Sequence, residues 1–220
     1  MAKQVILAVA GAGKTYHICH EIDPQKRNLI LAFTHENIHN IQKELYDAYK
    51  CMPDLTTVAT FDSFVYHELI LPYEPSIGEH FGQPGFVSCG ICMIDPPPQR
   101  IKTKTGKSIA NPLYEPKDQL AHYITDRKQY YCATLSELAL QVKKKRESLI
   151  KRVAARLNMF YDCVLIDEFQ DFREHDYDLI IALAKQLNDV VLVGDYYQHS
   201  VSATNNSGRP FKKKSVDVSY

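Results

Sequence analysis

A chain of 220 residues with 45% hydrophobic content and 26 basic against 26 acidic residues can bury one sizeable core or two small ones, which excludes wholesale disorder. Its zero formal net charge selects no partner, so any polyanion contact must come from a local basic patch. No apolar run reaches the roughly 20 residues of a membrane span, and Met1-Ala2-Lys3-Gln4 lacks a signal-peptide hydrophobic region, so a cytoplasmic protein without a membrane partner is expected.

Val5 to Val9 reads as a strand, and it runs into Ala8-Val9-Ala10-Gly11-Ala12-Gly13-Lys14-Thr15, the pattern of a phosphate-binding loop with Ala8 where the formal pattern has Gly. The small residues Ala10, Gly11, Ala12 and Gly13 let backbone N–H groups turn inward around an anionic phosphate. A helix from Thr15 to Ile22 adds the positive end of its dipole. The Lys14 ammonium is then placed to reach the β and γ phosphates, and the Thr15 hydroxyl to hold Mg²⁺.

Further along, Asn28 to Phe33 reads as a strand, Asn37 to Tyr49 as a helix and Leu55 to Thr60 as a third strand. Strand and helix in alternation predict an α/β fold with a parallel sheet covered by helices. The rhythm breaks between Leu71 and Leu157, a stretch rich in Pro, Gly, Lys and Tyr that includes Pro96-Pro97-Pro98. This is read as an inserted accessory subdomain with an irregular first half. In its second half, from Ser136 to Leu157, Leu138, Val142, Leu149, Val153 and Leu157 are spaced for one helical face. Lys143, Lys144, Lys145, Arg146, Lys151 and Arg152 supply charge that could track a phosphate backbone, with solvated helix surface as the plainer reading.

The six cysteines are scattered and suit reduced thiols better than a disulfide framework. Cys89-Gly-Ile-Cys92 is a single CxxC, and a structural zinc site wants four ligands. His67 and His80 could complete one, but ordinary reduced cysteines are expected.

The strand–helix pattern returns with Cys163 to Ile166 as a buried strand, Asp178 to Leu187 as a helix and Val190 to Val193 as a strand. The expected division is therefore residues 1–70 with 158–201 as the nucleotide-binding domain and 71–157 as the insertion, with 202–220 as a loosely ordered tail. Val164-Leu165-Ile166-Asp167-Glu168-Phe169-Gln170-Asp171 delivers two carboxylates where an open parallel sheet places its ligand crevice. Asp167 is assigned to Mg²⁺, and Glu168 to the water that attacks the γ-phosphate. In Val193-Gly194-Asp195-Tyr196-Tyr197-Gln198, a further strand ends in polar residues, and Gln198 is the candidate to sense the γ-phosphate.

These residues resemble the UvrD/Rep-type helicases of superfamily 1 in five motifs taken in order. They are Ala8 to Thr15, Leu31-Ala32-Phe33-Thr34, Thr60-Phe61-Asp62-Ser63-Phe64, Asp167 to Asp171, and Gly194-Asp195 with Gln198. In that family an Ala commonly stands where Ala8 stands, and an accessory domain sits where residues 71–157 lie. The resemblance implies an N-terminal RecA-like domain that binds ATP and Mg²⁺, with Lys14, Glu168 and Gln198 as catalytic residues. It further implies contacts to single-stranded DNA through Thr34, Thr60, Phe61, Ser63 and Phe64. Tyr16 stands where the family often has an adenine-stacking Arg, so its ring is a candidate to pack on the base.

Departures from the family pattern matter as well. His35-Glu36 replaces the usual Asn-Lys and Asp62 the usual His, which puts two carboxylates near the expected phosphate track. After Gln198, Val201, Ala203 and Thr204 replace a Tyr, a base-stacking aromatic worth roughly 1–3 kcal/mol per base, and an Arg. Within these 220 residues, neither the family's glutamine motif before Val5 nor a second RecA-like domain with γ-phosphate arginines is expected. The expectation is thus a motor domain that binds Mg-ATP, hydrolyses it slowly by itself, and needs a second motor domain or a protein partner. Two other readings remain open: a nucleotide-gated protein-binding module without helicase activity, and an RNA-directed superfamily 1 helicase fragment.

Overall fold

A computed structural model describes residues 3–9, 11–144, 147–172 and 174–195. Ala10 of the loop, Gln198 and the expected tail lie outside the described residues. The chain divides into two compact units, residues 1–64 with 150–220 and residues 65–149.

In chain order the first unit begins β1 (Lys3–Leu7), α1 (Lys14–Glu21), β2 (Asn28–Ala32), α2 (His35–Tyr49), β3 (Thr56–Thr60) and α3 (Phe61–Phe64). The second unit holds a π-helical stretch (Val65–Ile70), α4 (Glu74–His80), β4 (Ile91–Cys92), β5 (Arg100–Lys102), β6 (Ser108–Ala110), β7 (Tyr130–Tyr131), α5 (Leu135–Gln141), β8 (Lys143–Lys144) and β9 (Glu147–Ser148). The chain then returns through α6 (Leu149–Phe160), β10 (Cys163–Ile166), α7 (Glu174–Gln186) and β11 (Val190–Gly194).

The five strands β1, β11, β10, β2 and β3 lie side by side in that order, and every pairing is parallel. This is the expected α/β sheet. Alternation along the strands loads both faces with apolar side chains. Ile30, Ala32, Leu165 and Val193 meet Ile18 and Cys19 of α1 and Ile41 and Leu45 of α2. Leu31, Val164 and Ile166 point the other way, toward Phe61 and Phe64 of α3 and Ile180 and Leu183 of α7. Among the described residues β1 pairs only with β11, and its Val5 and Leu7 stay 57% and 49% exposed. Helix α2 starts two residues earlier than its apolar spacing suggests, because Thr34 caps it: the Thr34 hydroxyl accepts the Asn37 N–H at 3.1 Å.

The helix expected from Ser136 to Leu157 is instead two helices joined by the β8–β9 hairpin. Helix α5 stops at Gln141, Val142 turns extended, and the Leu149 N–H returns to the Val142 carbonyl at 3.0 Å. Lys143 and Lys144 therefore sit on a hairpin strand and not on a helix face, while Lys145 and Arg146 lie outside the described residues. Helix α6 from Ile150 onward belongs to the first unit, so the units part at 64/65 and 149/150 rather than near 70 and 157.

The second unit has its own core, where Tyr123 and Tyr130 are fully buried and the Tyr130 ring packs edge-on against Phe86 and Tyr66. Its expected irregular half carries two short sheets, β4 with β7 and β5 with β6. The β5–β6 ribbon is basic: Arg100, Lys102, Lys104 and Lys107 are all exposed, and no acidic residue lies between positions 96 and 114. The Arg100 guanidinium lies across the ribbon, donating to the Ser108 hydroxyl at 3.0 Å and carbonyl at 2.8 Å. No described helix is long and apolar enough to cross a membrane. No group of three or more His, Cys, Asp or Glu among the described residues could hold a metal ion, and Cys89 and Cys92 are free thiols.

Candidate nucleotide site at the strand ends

The loop between β1 and α1 owes its shape to two glycines. Gly11 and Gly13 sit at φ +74° and +73°, left-handed conformations that side chains other than glycine's rarely adopt. The chain leaves β1 still paired, since the Ala8 N–H donates to the Gly194 carbonyl at 3.0 Å. It then tightens where the Ala12 N–H donates to Val9 at 3.1 Å. Gly13 is the last residue before α1, so Lys14 and Thr15 form the first helical turn, where backbone N–H groups lack helical partners. A Cβ at Gly11 would meet nothing within 4 Å, so the backbone is open on that side. Such a turn is a cradle for an anion.

Across the sheet edge, the Thr15 hydroxyl donates to Asp167 Oδ2 at 3.2 Å, although the two are 152 positions apart. Asp167 is 2% exposed and also accepts the Glu168 N–H at 2.9 Å through Oδ1. Burial pushes its carboxyl from an ordinary 3.8 up to about 6, with the Glu168 charge pushing the same way; its hydrogen bonds and Lys14 act in opposition. A hydroxyl and a buried carboxylate side by side are hard oxygen donors of the kind Mg²⁺ takes, and a cation there would relieve the carboxylate. Thr15 and Asp167 therefore fit the metal.

Lys14 is buried at 8% exposure. Its ammonium lies 3.6 Å from Asp195 Oδ2 and 3.5 Å from the Ala8 carbonyl. Asp195 itself is 1% exposed, just beyond the end of β11.

Glu168 adopts a left-handed conformation, φ 50° and ψ 43°, a strain of roughly 1–3 kcal/mol for a residue with a side chain. The kink turns the chain back into a short 3₁₀ turn, Phe169–Asp171, and brings Gln170 underneath. The Gln170 side chain bridges the segments that follow β10 and β11: its Nε2 donates to Glu168 Oε2 at 2.6 Å, and its Oε1 accepts the Asp195 N–H at 2.8 Å. Gly194 makes the bridge possible, because a Cβ there would stand 2.7 Å from Gln170 Oε1. Gln170 and Asp195 had no assigned role in the sequence reading, although both stand inside motifs it singled out.

The remaining expected residues occupy two kinds of position. Thr34 is exposed but engaged as the α2 cap, and the Thr60 hydroxyl accepts the Ser63 N–H at 3.4 Å. Phe61 and Phe64 are buried at 1% and 3% exposure, with Phe61 edge-on to Phe172, while His35, Glu36 and Asp62 are exposed. Tyr16 is 58% exposed and stacks on His20 one turn along α1, ring centroids 3.7 Å apart.

A loop that cradles an anion, an ammonium and hydroxyl at its end, and two carboxylates just past the end of β10, with β11 between β10 and β1, can together hold a nucleotide triphosphate with its metal and activate water beside it. Comparison with curated proteins gives no match. The model of the AAA domain family matches residues 2–204, and the chain therefore belongs to that family as a nucleotide-binding domain of the P-loop NTPase type.

Proposed function

We propose that this chain is the ATP-binding motor domain of a UvrD/Rep-like DNA helicase, which in the complete enzyme couples ATP hydrolysis to movement along single-stranded DNA. The observation that carries the reading is the convergence of Lys14, Thr15, Asp167 and Glu168 at the strand ends, with Thr15 and Asp167 in hydrogen-bond contact. Bound Mg²⁺ would polarise the terminal phosphate and its bridging oxygen. Thr15 and Asp167 would hold the metal, Lys14 would neutralise phosphate charge, and Glu168 would orient water and take its proton.

Isothermal titration with Mg-ATP tests the reading. Lys14→Ala should lose most of the affinity with its fold intact, and unaltered affinity would mean the loop is misread. Glu168→Gln should bind as the unmodified chain does and lose hydrolysis; equal turnover would remove Glu168 from the mechanism.

Exposed Glu36 and Asp62, together with the buried rings of Phe61 and Phe64, favour a second reading, a nucleotide-gated protein-binding module. Titration with single strands separates the two: ATP-dependent, salt-sensitive affinity supports the motor, indifference at every salt concentration supports the module, and preference for ribose points to an RNA-directed enzyme.

A further inference from the structure

We propose that Asp195 is the chain's own stand-in for phosphate at Lys14, so that nucleotide enters by displacing a carboxylate the fold already supplies. The inference rests on the nucleotide reading above and adds to it an internal competitor. A buried ammonium without a counter-charge is strongly unfavourable, so the position of Lys14 demands an anion nearby. Asp195 meets that demand at 3.6 Å and is itself almost wholly buried.

The main chain that carries the carboxylate is held from behind. The Asp195 N–H is fixed by Gln170 Oε1 at 2.8 Å, and the preceding Gly194 leaves no room for a side chain between β11 and that amide. Gln170 is in turn tied to Glu168. The Asp195 main chain therefore cannot move away from the loop without moving a strap that also contacts the Glu168 carboxylate.

Two consequences follow. The resting chain binds phosphate more weakly than its loop alone would, because each binding event must break the Lys14–Asp195 pair. Phosphate arrival frees Asp195 to shift, and Gln170 is the positioning residue through which that shift reaches Glu168.

The test is titration of the unmodified chain and Asp195→Asn with Mg-ATP, with magnesium tripolyphosphate, which carries the anionic part alone, and with adenosine, which lacks it. Removing the competing charge should tighten ATP and tripolyphosphate about tenfold, equivalent to ~1.4 kcal/mol, and leave adenosine unchanged. An unchanged or weaker tripolyphosphate dissociation constant overturns the inference, as does equal tightening of adenosine. If the unmodified chain binds neither phosphate ligand, the nucleotide reading itself fails and takes this inference with it. Should Asp195→Asn not fold, Gln170→Ala serves instead: a loosened Asp195 should tighten tripolyphosphate about threefold, and no tightening refutes the proposal.

Discussion

Asp167→Asn should make this protein more stable at neutral pH, even though the residue stands at the centre of the site. In the folded chain burial and the neighbouring Glu168 hold the Asp167 carboxyl up at about 6, against an ordinary 3.8. Between those two values the folded state binds more protons than the unfolded state, so stability falls as pH rises through that window. The cost is complete above about pH 6. At about 1.4 kcal/mol for each tenfold change in proton affinity, it amounts to about 3 kcal/mol. Asn has the same shape, keeps an oxygen that can accept the Glu168 N–H while its amide donates to the Thr15 hydroxyl, and carries no charge to desolvate. Urea unfolding of both proteins at pH 4, 5.5 and 7.5 measures the effect. The variant should match the unmodified chain near pH 4 and exceed it by about 3 kcal/mol at pH 7.5, while Mg²⁺ with nucleotide should stabilise only the unmodified chain. If the two unfolding curves stay parallel across the pH range, the argument from burial is wrong. A stabilised but metal-blind variant is the signature of a site that trades stability for chemistry.

Gly194→Ala should destabilise by about 1–3 kcal/mol, because the added methyl must push the buried Gln170 amide off both of its partners; a melting temperature within 1 °C of the unmodified chain, a tolerance of roughly 0.3 kcal/mol, would count against this packing. Phe61→Ala should cost about 3–5 kcal/mol in chemical denaturation, as expected for a ring buried beneath the sheet against Phe172; a loss below about 1 kcal/mol would point to a surface role instead. Replacing Lys102, Lys104 and Lys107 of the basic ribbon together by Ala should lower the salt dependence of single-strand binding by about two to three released counterions; an unchanged slope would exclude the ribbon from the nucleic-acid contact. That triple change should leave Mg-ATP affinity where it was.

The parts of the site that were legible in the sequence share a property: each is a contiguous pattern whose residue types are set by local geometry. Gly11 and Gly13 are required where the backbone turns left-handed, and Lys14 and Thr15 follow in the first helical turn, where a phosphate and its metal would sit. The apolar run Val164 to Ile166 ending in Asp167 and Glu168 is read the same way. The helix drawn through Ser136 to Leu157 shows the limit of such reading. Leu138, Val142, Leu149, Val153 and Leu157 are all buried, as their spacing implies, yet a hairpin interrupts them. Periodicity records which side chains face a core, and a two-strand turn inside the repeat preserves that facing while the helix ends.

Gln170 was invisible as a bridge because its two partners follow different strands, β10 and β11, and a one-dimensional pattern carries no sign of the Asp195 N–H above it. Phe61 and Phe64 stand in a motif associated with DNA, and only packing distinguishes a ring that meets a base from one that fills the space beneath a sheet.

The amino-acid order alone determined a glycine-shaped loop ahead of a helix, a carboxylate pair after an apolar strand and a parallel sheet, since turn chemistry and alternation are properties of a few adjacent residues. Tertiary structure decided the strand order β1, β11, β10, β2 and β3, the meeting of Thr15 with Asp167, and the pairing of Lys14 with Asp195. Those depend on which apolar surfaces cover one another across more than a hundred residues of chain. A buried ammonium then takes the counter-charge that packing brings within reach.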